Sequence, residues 1–342
     1  NWVYQMQHTS GLLESAEETN FVSLYDNALA AIFFIHDNQK EKAEGILNFY
    51  YSKINEEVLV NGGFYQTRNI DGEEAETLWM GDNAWLLIAI NHYSDTYNSS
   101  KYDVLGKHLE NWLRSLQDKD GGLKGGIRAD GTEMPKITEG MLTAFNAVKG
   151  YDDFHINILK FLQNERWDAK NMVLMAWPEN PKYAYAMDIH SLSSGILPGM
   201  SENVLLEANR YLNQQKTQVN GETLTGYSFD EDKDVVWLEG TAQMAVAFQS
   251  VGQTEKTAEI INELEKTFIQ STSITNAKGI PYTSNHGTSY GSTVLWDHAD
   301  IAPALSSTIW YLFAKEHFNP LALGKKSNIP EIQKFWIQNS IN

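Results

Sequence analysis

Acidic residues recur in this chain at the head of apolar, helix-like runs. The runs are Ser-Leu-Tyr-Asp26-Asn-Ala-Leu-Ala-Ala, Met-Gly-Asp82-Asn-Ala-Trp-Leu-Leu-Ile, Ile-Thr-Glu139-Gly-Met-Leu-Thr-Ala-Phe, Met-Asp188-Ile-His-Ser-Leu, Trp-Leu-Glu239-Gly-Thr-Ala-Gln-Met-Ala and Asp297-His-Ala-Asp300-Ile-Ala-Pro-Ala-Leu. From Asp26 to Asp300 the spacing is 49 to 61 residues. One carboxylate at a helix start has an ordinary explanation, because it caps free N–H groups and suits the helix dipole. Capping does not explain the aromatic company. Tyr25 precedes Asp26, Trp79 and Trp85 flank Asp82, and Trp177 leads Tyr183 and Tyr185 towards Asp188. Trp237 precedes Glu239, and Trp296 precedes Asp297. Aromatic rings stack on sugar faces while carboxylates bind hydroxyls. Two opposed carboxyl groups can protonate a glycosidic oxygen and activate water or attack the sugar. Asp82 and Glu239 lead the catalytic candidates, followed by Asp26, Glu139 and Asp188. Binding candidates are Tyr25, Trp79, Trp85, Trp177, Trp237, Trp296, Asp297, Glu14 ahead of the first run, and His190 and His286 near the acids.

A repeat of about fifty residues accommodates a helical hairpin and a connection. The acid-headed runs are apolar nearly all round, as in Ala28 to Phe34 and Thr241 to Phe248, and such helices are buried on every side. Between them lie amphipathic segments at 39–54, 101–117, 153–164, 202–215, 255–270 and 329–340. Leu105, Leu109, Trp112, Leu113 and Leu116 form one stripe, at spacings that share a helical face. An inner ring wrapped by an outer ring satisfies both patterns. The expected fold is therefore an all-α toroid of six inner and six outer helices, a single domain over 1–342. The loops leading into inner runs are long and carry turn signals, including Asp120-Gly121-Gly122 and Asp130-Gly131. Small β-hairpins and the site are expected at that end.

Composition narrows the function. A formal charge of −18 without a basic cluster argues against nucleic acid and anionic membrane surfaces, and favours a neutral or cationic ligand. No run is long enough to span a bilayer. Absence of cysteine excludes disulfides, thiolate catalysis and Cys-zinc sites. No transition-metal spacing is present, and Asp230-Glu-Asp232-Lys-Asp234 lacks the glycine and glutamate that complete an EF-hand. No metal or organic cofactor is expected. The chain opens on Asn1 rather than Met, so the expectation is a secreted or periplasmic protein whose signal peptide has been removed, with a cytoplasmic location as the alternative.

Leu-Tyr-Asp26-Asn-Ala-Leu-Ala, Gly-Asp82-Asn-Ala-Trp-Leu, Trp-Leu-Glu239-Gly-Thr-Ala-Gln-Met-Ala and the closing Ser-Thr-Ile-Trp-Tyr-Leu-Phe-Ala resemble the six-hairpin, (α/α)6-toroid glycosidase superfamily. The resemblance runs from about Gly11 to Pro320 and is one of architecture and motif style. It implies an acid-lined groove at the N-terminal ends of the inner helices and, commonly, glycan hydrolysis. The same superfamily includes sugar epimerases and polysaccharide lyases. The leading expectation is a hydrolase of a neutral oligo- or polysaccharide. An epimerase would favour paired histidines at the mouth, and a lyase would need cations such as Arg68, Arg128 or Lys182. A non-catalytic glycan-binding protein would keep the aromatics without an opposed acid pair.

Overall fold

The computed structural model describes residues 2–73, 77–286, 289–290, 293–294 and 300–338. Six helices form the inner ring: Leu24–His36, Met80–Tyr97, Thr138–Ala147, Asp188–Ile196, Leu238–Ser250 and Leu305–Lys315. Each touches the next, and the sixth returns to the first, closing the toroid. Their side chains are buried nearly all round, as the unbroken apolar sequence requires. Each fully buried Leu or Phe contributes about 1.5–3 kcal/mol.

Outer helices Lys40–Ser52, Asp103–Ser115, Asp153–Phe161 and Thr254–Glu265 stand in the expected places. The fourth outer segment departs from expectation. Its helix covers only Asn203–Glu207, followed by a 3-10 turn to Tyr211 and the strand Leu212–Lys216, which pairs with Thr223–Tyr227. Asn213 and Gln215 explain the change, because their amides donate to the carbonyls of Lys233 and Asp234 at 2.8 Å each. These bonds hold the segment extended against its neighbouring loop.

The sixth repeat departs further. Its inner helix begins at Leu305, not near Asp300, and has no acid in its first turn. Of the outer helix expected over 329–340, the described residues 329–338 form a turn at Glu331–Gln333 and the helix Phe335–Gln338. This short helix packs elsewhere. The Trp336 indole donates to Pro198 O, and Phe335 meets Trp167 at 5.3 Å between ring centres. The preceding stretch carries it there by crossing beneath the ring. His92 bonds to Pro320 O, Asn146 donates to Leu321 O, and Lys326 donates to Val148 O. That crossing covers the C-terminal ends of the second and third inner helices. The N-terminal helix Trp2–Gln5 packs beside the sixth inner helix instead, with Tyr4 against Phe33 and Phe34.

Small antiparallel ladders gather where the inner helices begin. Phe21–Ser23 pairs with Thr67–Asn69, and Leu78–Trp79, Gly126–Ile127 and Glu133–Met134 form a three-stranded sheet. The Asp130-Gly131 turn closes the last of these as its sequence predicts, with Gly131 at φ +81°. Among the described residues no helix is long and apolar enough to cross a membrane.

Candidate active site

The acids occupy the first turns of five successive inner helices. In the first helix the cap is Ser23, whose hydroxyl accepts from the Asp26 N–H at 3.3 Å. Capping therefore leaves the Asp26 carboxylate free for other partners. The other four inner helices of this set have no side-chain cap. Asp26, Asp82, Glu139, Asp188 and Glu239 all line one cavity of about 540 Å³, within the ~300–1,000 Å³ of small-molecule sites. Tyr25, Trp79, Trp85, Trp177 and Trp237 line it too, together with Phe21, Phe229, Gln243 and Tyr282. Arg128 is the one basic side chain among the described lining residues.

Two carboxylates are held by dense hydrogen bonding. Glu239 Oε1 accepts from the Tyr25 hydroxyl at 2.7 Å and from the Gln243 amide at 3.1 Å. Its Oε2 accepts from the Ser306 hydroxyl at 2.8 Å. Tyr25 in turn accepts from the Trp310 indole at 2.8 Å. Asp26 Oδ2 accepts from the Tyr282 hydroxyl at 2.7 Å. Glu139 is more lightly held, accepting from Thr143 at 3.1 Å. Asp82 Oδ2 and Asp188 Oδ1 are buried with no hydrogen-bond partner among the described residues.

Burial pushes every one of these acids towards its protonated form, and repulsion from neighbouring carboxylates adds to it at Asp82, Glu139 and Glu239. For Asp82, burial acts first, then the charges of Glu139 and Asp26, and the carboxyl lies well above the usual range. Burial followed by Asp188 carries Glu139 up to about 8. Burial followed by Asp26 carries Glu239 to about 8, despite the opposing bonds from Tyr25 and Ser306. Burial takes Asp188 to about 7 and Asp26 to about 6, the latter restrained by bonds from Ser15, Tyr282 and Ser306.

Other candidates lie outside the cavity. Glu14 turns back on its own loop, accepting from the Glu18 and Asn20 N–H groups at 2.9 and 2.8 Å. His190 points away, its Nδ1 bonded to Val204 O at 2.7 Å and its ring against Tyr211. Burial drives its pKa down to about 4. His286 is exposed, 3.8 Å from Asp300, and is not among the lining residues. Trp296 and Asp297 lie outside the described residues. Of the cations a lyase could use, Arg68 is buried in a two-bond pair with Glu57 at 2.9 and 3.0 Å, which occupies it structurally.

Sequence reasoning did not single out Phe21, Phe229, Gln243, Tyr282 or Ser306. Gln243 carried a usable signal, standing four residues after Glu239 on the same helical face. A further signal was the glycine beside three acids: Gly81, Gly140 and Gly240. A Cβ on Gly81 would lie 2.5 Å from the Trp79 indole nitrogen and 2.9 Å from Glu139 Oε2. The missing side chain lets that ring and that carboxylate meet over the helix start.

No protein-family model matches the sequence, and no curated protein matches it. Solved structures do match in fold. An alpha-amylase from Clostridium perfringens superposes with TM-score 0.63 at 13% identity, covering 93% of this chain and 96% of its own. A glycosidase superposes with TM-score 0.62 at 11% identity, covering 94% of both chains, and a variant of it is in complex with glucose. A sugar epimerase from a ruminal bacterium reaches 0.60 at 9% identity, covering 93% of this chain and 95% of its own. The chain has an (α/α)6-toroid fold, shared with these solved structures.

Proposed function

We propose that the protein is a carbohydrate-active enzyme that hydrolyses a neutral oligo- or polysaccharide in this cavity. One observation carries the reading: five carboxyl groups from five inner helices, those of Asp26, Asp82 and Glu239 on buried residues and those of Glu139 and Asp188 on half-buried ones, line a single aromatic-walled cavity. Glycoside hydrolysis needs one carboxyl that keeps its proton at the working pH and another that gives it up. Asp82 fits the acid. A buried oxygen without a donor disfavours charge, and repulsion from Glu139 and Asp26 adds to the effect. Glu239 fits the base or nucleophile: burial raises it to about 8, but hydroxyl donors on both oxygens favour its ionised form, so activity is expected to rise as pH approaches and passes that value. The two stand on the second and fifth inner helices, opposite each other in a six-membered ring. Asp82 gives its proton to the departing glycosidic oxygen, while Glu239 takes a proton from water or attacks the sugar carbon. Asp26, Glu139 and Asp188 remain further candidates that set the field around this pair.

The fold likeness to sugar epimerases supports a second reading, in which the same cavity inverts a sugar centre. Product analysis separates the two. Neutral α- and β-glucans, xylans and mannans are incubated with the wild type and with Asp82→Asn. Hydrolysis releases new reducing ends and is lost in the variant. A new epimer without chain cleavage selects the second reading, and no product from any substrate removes both.

A further inference from the structure

Phe21 stands at the cavity mouth, 45% exposed and outside the packed core. Its strand pairs with Thr67–Asn69, so it belongs to the wall between the first and second repeats. Phe229 belongs to the wall between the fourth and fifth. Its carbonyl accepts from the Met187 N–H at 2.9 Å, one residue before Asp188. Its ring meets Trp237, two residues before Glu239, at 5.2 Å. In a ring of six repeats these two boundaries are diametrically opposed. A line joining them divides the acids. Asp82, Glu139 and Asp188 fall on one side, and Glu239, Ser306 and Asp26 on the other.

We infer that a neutral saccharide chain crosses the mouth from Phe21 to Phe229, with sugar units stacked on both rings. The bond to be broken then lies between the two groups of acids. The inference rests on the glycan reading above and deepens it. The substrate is an oligosaccharide or polysaccharide held on both sides of the reacting bond, not a small glycoside seated at one end. Cleavage balances along this path. An acid on one side protonates the departing oxygen, water supplies the hydroxyl at the anomeric carbon, and the facing carboxylate takes the water's proton. Arg128, also at the rim, donates to Glu133 O at 2.9 Å.

The test separates binding from turnover. Calorimetry measures the affinity of Glu239→Gln protein for linear neutral oligosaccharides from disaccharide to heptasaccharide, alone and combined with Phe21→Ala or Phe229→Leu. Affinity is expected to climb with chain length. Each second substitution is expected to weaken heptasaccharide binding by roughly tenfold or more, the scale of a lost apolar contact, with the loss shrinking as the chain shortens. Length-independent affinity, equal losses at every length, or no loss from Phe21→Ala overturns the path, even if the wild type hydrolyses glycans. The expected pattern without wild-type cleavage leaves the path standing and removes the hydrolase reading. No binding at any length removes both. Phe21 is exposed, so its variant is expected to keep the wild-type melting temperature.

Discussion

Tyr25 donates to Glu239 at 2.7 Å across 214 residues of sequence, joining the first inner helix to the fifth inside the cavity. Burial raises the Glu239 carboxyl to about 8, and this bond is one of those that hold it down. Tyr25→Phe removes the donor and keeps the ring. The limb of the pH–rate profile that rises with Glu239 ionisation is therefore expected to move to higher pH, with kcat at neutral pH falling and KM little changed. An unmoved limb means that Tyr25 does not tune this carboxylate.

The acid ring also sets how stability depends on pH. Unfolded Asp and Glu release their protons near about 4, whereas folded Asp26, Asp188, Glu139 and Glu239 release theirs near 6, 7, 8 and 8. Between those limits the native state binds more protons than the unfolded state, so stability falls as pH rises. The melting temperature is expected to drop from pH 5 to pH 8, and Glu139→Gln is expected to flatten that slope. Glu17 acts oppositely below this window. Burial alone would raise it, but bonds from Ser271, Ser273, Thr272 and Trp2 take it down to about 2. Its stabilisation is full above the unfolded value and disappears as pH falls through about 2.

The Arg68–Glu57 pair is buried, each side chain 1% exposed. Removing one member leaves an uncompensated charge. Arg68→Ala is expected to destabilise the fold by about 3–5 kcal/mol, read from denaturant unfolding. A loss below about 1 kcal/mol contradicts its placement.

Gly81→Ala tests the crowding over the second helix start. Alanine favours a helix interior by about 0.5–1 kcal/mol, but its Cβ would stand 2.5 Å from the Trp79 indole and 2.9 Å from Glu139. The variant is expected to fold, lose stability by about 1–3 kcal/mol and lose turnover as ring and carboxylate are pushed apart. A stabilised, fully active variant overturns this account of the glycine.

The inner ring was legible because all-round apolar runs have only one place to go, and the acids at their heads pointed to one end. The sixth repeat was not. Asp297 and Asp300 imitate the acid pattern of the other repeats, yet the helix starts later, and Ser306 supplies a hydroxyl to Glu239 there. The segment 329–340 read as an outer helix of the sixth repeat, but the crossing of Pro320 to Lys326 beneath the ring carries Phe335 and Trp336 to another repeat. Tyr282 reaches Asp26 only through ring closure, which no local spacing encodes. His190 stood beside Asp188 in sequence but turns outward, because neighbouring positions on a helix face different ways.

The most direct measurement is turnover of Asp82→Asn and Glu239→Gln on a neutral glycan that the wild type cleaves, with affinity for the same glycan measured in parallel. Both substitutions keep side-chain shape and remove the titrating group. Each substitution is expected to lower kcat by roughly 10²–10⁴-fold while the dissociation constant stays close to that of the wild type. Near-normal turnover in both variants contradicts it, and leaves these two carboxyl groups as parts of the fold rather than of the chemistry.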